Sequence, residues 1–82
     1  SEKFDIIFAD PPYDMKNFES VPTLVLENDL LNEGGMFIME HPRNFDFSTL
    51  PYFSEHRVYG SVNFSIFVKA YILTKKLYIL RR

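Results

Sequence analysis

Eighty-two residues with 46% hydrophobic and 17% aromatic content specify one small globular domain with a core near the lower size limit, and they exclude a disordered chain. The lack of cysteine excludes disulfides and thiolate metal sites and suits a cytoplasmic protein. The formal net charge of −2 is unevenly spread: positions 1–68 hold all eleven acids beside Lys3, Lys16, Arg43 and Arg57, whereas 69–82 hold Lys69, Lys75, Lys76, Arg81 and Arg82.

Ser1-Glu2-Lys3 runs straight into apolar sequence, so no signal peptide is expected, and the apolar runs are too short for a membrane span. Phe4-Asp5-Ile6-Ile7-Phe8-Ala9 reads as a strand covered on both faces, as in a parallel sheet. Asp10-Pro11-Pro12-Tyr13 ends it, because neither proline has an N–H for the ladder and Pro11 holds Asp10 extended. The stretch 14–19 reads as a polar loop. Lys16 and Phe18 there stand within reach of a substrate phosphate or base, although ordinary surface positions are the plainer reading.

A helix is expected next, with Ser20 as cap, Pro22 in the first turn, and Val21, Leu24, Leu30 and Leu31 on one face. Gly34 and Gly35 are expected to end it. Met36-Phe37-Ile38-Met39 reads as a second strand buried on both faces, which completes a right-handed βαβ unit. Glu40 and His41 fall at the same carboxyl edge as Asp10, before Pro42 closes the strand. One His and one Glu do not make a metal site, and a lone His at a strand end is more often structural or exposed.

Residues 43–54 form a loop whose Phe45, Phe47, Leu50 and Phe53 are expected to pack as a satellite cluster. His56 to Tyr59, a Gly60-Ser61 turn of type II′, and Val62 to Val68 read as a β-hairpin. Alternation puts Val62, Phe64, Ile66 and Val68 on one face and Asn63, Ser65 and Phe67 on the other. The stretch 69–82 is a basic tail. It suits an amphipathic segment for RNA, lipid or another subunit, and equally an extension without a role.

The corner at Asp10 carries the chemistry. In open α/β sheets ligands sit at the carboxyl edge of the strands. An aromatic exocyclic amine is a poor nucleophile because its lone pair is delocalised into the ring. The Asp10 carboxylate and the Pro11 carbonyl can accept both N–H bonds and favour a pyramidal nitrogen, held by rigid prolines with little reorganisation. Tyr13 can stack on the base, a contact worth ~1–3 kcal/mol in single-stranded nucleic-acid sites. Asp before two prolines also suits a plain strand exit that starts a turn.

Residues 4–13 resemble motif IV of the class I, S-adenosylmethionine-dependent amino-methyltransferases, whose pattern is Asp or Asn, Pro, Pro, then Tyr or Phe. Together with Leu30 to Gly35, Met36 to Glu40 and Arg57 to Phe67, the similarity narrows to RsmD-type guanine-N2 methyltransferases of small-subunit ribosomal RNA, over about residues 3 to 68. The resemblance implies the carboxyl-terminal half of a Rossmann-like α/β sheet: a βαβ unit followed by an antiparallel β-hairpin. On that view 1–68 is a partial methyltransferase domain and 69–82 an added tail.

By the same resemblance, Asp10, Pro11, Pro12 and Tyr13 lie in the methyl-acceptor site. Asp10 and Pro11 also border the cofactor, S-adenosylmethionine. The glycine-rich turn that holds this cofactor in the family has no counterpart here, since Gly34, Gly35 and Gly60 form no Gly-x-Gly pattern after a strand. The implied partners are ribosomal RNA or the assembling small subunit, with dimerisation through an exposed sheet edge. An adenine-N6 DNA methyltransferase and a non-catalytic interaction domain are the alternatives.

Overall fold

The computed structural model describes residues 2–69; of the basic tail, therefore, only Lys69 falls within the described residues. Four strands and one helix are laid out as β1 (Phe4–Ala9), a 3-10 turn (Phe18–Ser20), α1 (Val21–Glu27), β2 (Leu31–His41), β3 (Phe53–Tyr59) and β4 (Val62–Val68). They form one mixed sheet in the order β1-β2-β4-β3. β1 and β2 run parallel, with Ile7 opposite Phe37 and Ala9 opposite Met39. β4 lies antiparallel between β2 and β3. This is the βαβ unit followed by a hairpin that the sequence predicts.

The hairpin closes at Gly60, whose φ of 62 is followed by a Ser61 without positive φ, the pattern of a II′ turn. The helix is shorter than its sequence suggests. Ser20 stands at the cap position, but its hydroxyl donates to the Asn17 carbonyl and not to the helix. The end comes at Asn28, whose side-chain amide donates to the Leu24 carbonyl at 2.6 Å, and Asp29 turns the chain with φ 53. Lys3 and Lys69 each approach the Asp29 carboxylate at 2.8 Å and fix that reversal. Leu24 is exposed, while Val21, Val25 and Leu26 pack on the core.

Gly34 and Gly35 therefore do not cap the helix; they lie inside β2. Between the Phe4–Leu31 and Ile6–Met36 pairs the register shifts, and the extra residues of β2 bulge. Gly34, at φ 82, donates its N–H to the Lys69 carbonyl at 2.7 Å, and Lys69 returns one to Gly35 at 2.9 Å. A side chain at Gly35 would stand 2.8 Å from the Asn32 carbonyl oxygen and 3.2 Å from that of Phe4. Glycine is needed there for close approach of backbone to backbone.

The core lies on one face of the sheet. Phe37, Met39 and Phe67 are its centre, with Ile7 and Ala9 of β1 beside them. The 3-10 turn, α1 and the 43–52 loop cover them, and Phe18, Phe45 and Phe47 stack in sequence at 4.9 and 5.8 Å. The loop aromatics are thus part of the main core and not a satellite. Phe18, at 2% exposure, is a core residue and cannot reach a substrate base.

β1 is not covered on both faces as its composition suggests: Ile6 is 66% and Phe8 56% exposed. β2 alternates instead of burying both sides, with Phe37, Met39 and His41 buried and Met36, Ile38 and Glu40 half-buried. The reason is architectural. β1 has a neighbour on one side only, and on the face it shares with Ile38 its own Ile6 and Phe8 stand exposed.

Candidate functional site at the carboxyl edge

β1 ends at Ala9, level with Met39, and β2 runs two residues further to His41. Asp10, the first residue after β1, therefore stands level with Glu40, which is still paired with Phe64 inside β2. Asp10 is exposed, and the two prolines after it leave the sheet. The Met15 N–H donates to the Pro12 carbonyl at 3.0 Å, so Pro12 to Met15 is a closed turn that bends the chain back over the edge. No described donor reaches the Pro11 carbonyl. Neither the Asp10 carboxylate nor the Pro11 carbonyl is therefore occupied by a described donor.

Tyr13 is fixed from two sides. Its ring meets Phe18 edge-on at 6.0 Å, and its hydroxyl donates to Glu40 Oε2 at 3.1 Å. One side remains open, since the residue is 51% exposed. Desolvation, then the bond to Glu40 and the negative charges of Glu40 and Asp10, raise the phenol above its ordinary pKa. It remains a neutral donor and an aromatic platform at any physiological pH.

Sequence reasoning placed Glu40 at this edge but missed its bond to Tyr13. The signal was available in the parallel register: with Ala9 opposite Met39, the next residue of each chain lies at one level. His41, one residue on, turns the other way and is fully buried. Its Nδ1 lies 2.8 Å from the Pro42 carbonyl, which can only accept, so Nδ1 carries the proton. Nε2 then accepts from the Ser65 hydroxyl at 2.7 Å. Burial, with a smaller push from nearby His56, outweighs the Pro42 bond and lowers the His41 pKa.

This Ser–His pair has the form of an activated nucleophile, but Ser65 is 1% exposed and no substrate reaches it. Its role is structural. His56 donates from Nε2 to Asn63 Oδ1 at 2.9 Å and completes the buried polar group. Among the described residues no cluster of His, Asp and Glu could hold a metal ion. Lys16 and Arg43 are exposed in the loops that follow β1 and β2, and neither forms an ion pair with a described residue.

The arrangement can therefore accept hydrogen bonds from a small planar donor and stack against it. A family model described as Conserved hypothetical protein 95 matches residues 1–68, which include every described strand and the site. No curated protein sequence matches the chain.

Solved structures do match. A protein from Haemophilus influenzae described as a candidate methylase superposes with TM-score 0.65 at 21% identity, over 83% of this chain and 44% of its own. A Thermus thermophilus protein described as hypothetical gives 0.64 at 32% identity, over 80% and 36%. An Escherichia coli protein described as a candidate methyltransferase gives 0.63 at 19%, over 83% and 38%. The chain spans less than half the length of each of these three structures.

Proposed function

The chain belongs to the Conserved hypothetical protein 95 family, and from that premise we propose that it forms the methyl-acceptor side of an RNA guanine-N2 methyltransferase that acts on ribosomal RNA. The observation that carries this reading is the open Asp10–Pro11 acceptor pair beside the Tyr13 ring, at the carboxyl edge of two parallel strands. The fold it shares with the candidate methylase from Haemophilus influenzae supports the reaction class. The base and the RNA follow from the sequence resemblance alone.

When bound, S-adenosylmethionine supplies an electrophilic methyl group on a cationic sulfonium. The exposed Asp10 carboxylate and the free Pro11 carbonyl suit the neighbourhood of such a cation. The described residues offer no cradle for its adenosine, because Gly34 and Gly35 form a bulge and Gly60 a hairpin turn. Residues present thus fit the methyl end of the donor and not its other end.

Asp10 accepts one N–H of the base amine and the Pro11 carbonyl the other. The nitrogen becomes pyramidal, with its lone pair turned toward the electrophile and away from the ring. Once the amine carries its new methyl group, Asp10 takes the proton from the acidic ammonium product. Tyr13 holds the base plane by stacking while its hydroxyl stays on Glu40. Lys16 and Arg43 meet phosphates of the RNA, consistent with basic side chains that have no described ion-pair partner.

Asp10→Ala in the complete protein that carries this chain tests the assignment. Methyl transfer to ribosomal RNA should fall by at least ~10²-fold, the usual cost of losing a preorganised polar group at a reacting centre, with an unchanged circular dichroism spectrum. Undiminished turnover would reject the role. Parallel assays on ribosomal RNA and duplex DNA separate this reading from adenine-N6 methylation of DNA.

A further inference from the structure

Glu40 has no part in the acceptor chemistry above, yet it stands at the same level as Asp10, half-buried, with one oxygen on the Tyr13 hydroxyl. A carboxylate offers about four lone-pair positions, and a single bond from Tyr13 leaves most of them available. Resting on the methyl-acceptor reading, we propose that Glu40 selects the base: it accepts the N1–H of guanine while Asp10 and Pro11 accept the amine.

Guanine and adenine differ in what flanks each amine. The N2 amine of guanine neighbours N1–H, a donor, so a second carboxylate beside the amine site gains a charge-assisted bond. The N6 amine of adenine neighbours N1 as a bare acceptor. A carboxylate at the same place would face a lone pair with no proton between them. Two carboxylates level with each other at the carboxyl edge, one just past β1 and one near the end of β2, therefore match a base edge with donors in a row. The bond to Tyr13 fixes Glu40 against the stacking ring, so the donor edge and the base plane are read by one rigid unit.

The role differs from mere support of Tyr13, and one substrate pair separates the two. Guanine and 2,6-diaminopurine carry the same N2 amine, but the second has an acceptor at N1 in place of N1–H. The complete protein is assayed on an RNA substrate bearing either base at the target position, as wild type, Glu40→Gln and Tyr13→Phe.

Wild type should prefer guanine by roughly 10- to 100-fold in kcat/KM, the range for a well-placed polar base contact. Glu40→Gln, whose amide can donate to a bare N1, should bring that preference below about threefold. Tyr13→Phe removes the bond to Glu40 but keeps the carboxylate, so it should lower both rates while the preference persists. A guanine preference unchanged in Glu40→Gln, or lost equally in Tyr13→Phe, overturns the selection role and leaves methyl transfer standing. A wild-type protein that methylates neither base overturns the acceptor reading, and the selection role with it.

Discussion

The two faces of the sheet are built against the usual expectation. The covered face includes the polar residues His41, Ser65 and Asn63, all buried, beside Phe37, Met39 and Phe67. The opposite face is mostly apolar, with Ile6, Phe8, Ile38, Phe64 and Ile66, and Ile6 and Phe8 stand exposed. Burial here follows from which face the connecting segments cross, not from which residues are greasier. Polar groups survive on the covered face because each has a partner, and no buried side-chain nitrogen or oxygen among the described residues lacks one.

The contrast can be broken most directly at its centre. Phe37 is fully buried and stacks on Phe67 at 5.3 Å, so Phe37→Ala should cost about 3–5 kcal/mol. Urea denaturation should find little folded protein left. Phe8→Ala, at an equally large side chain on the open face, should cost this chain less than about 1 kcal/mol. Similar losses at both positions would mean that the two faces are equally covered in solution.

Next in size is the polar pair. Ser65→Ala strands the Nε2 of His41 without its donor in a dry site, and should cost about 1–3 kcal/mol in the same experiment. A loss below the error of the measurement would show that water or another donor reaches His41. Gly35→Ala tests the bulge that starts β2: two backbone oxygens block the new methyl group, for a cost of about 1–3 kcal/mol. Gly34→Ala meets open space but retains a φ of 82, so its penalty comes from backbone conformation alone and should be the smaller of the two.

The pH dependence is the subtlest comparison. His41 has a folded pKa below its ordinary 6.5, chiefly from burial. Below that value the unfolded chain binds a proton that the folded chain resists, so stability should fall as the pH drops through the region beneath 6.5 and be flat above it. Asp29, on the surface, works in another window. Its bonds to Lys3 and then Lys69 lower its pKa to about 2, so its contribution is complete above 3.8 and vanishes as the pH falls through about 2. Denaturation midpoints measured from about pH 7.5 downward should show the His41 slope first. A profile flat from about 7.5 to about 5 would mean that His41 is as easily protonated in the fold as out of it.

The way the chain leaves β1 was legible in the sequence. Asp10, Pro11, Pro12 and Tyr13 had to leave the sheet together, because two residues without N–H groups cannot stay in a ladder. The hairpin was legible for a similar local reason, a Gly-Ser pair between alternating runs. Local signals misled at Gly34 and Gly35, where a helix stop and a strand bulge use the same residue for the same freedom of φ. They misled again at Phe18, which sits among polar residues in sequence but points into the core.

What the chain determined by itself was therefore periodicity and punctuation: where strands run, where prolines and glycines break them, and which carboxylate stands at the break. The three-dimensional packing decided the rest. It chose which of two alternating faces is covered, turned Ser65 and His41 into a buried pair, and set Glu40 against Tyr13. Alternation fixes that neighbours point opposite ways, but which way is inward depends on the side over which the helix and the aromatic loop cross, and that choice is made by contacts far apart in sequence.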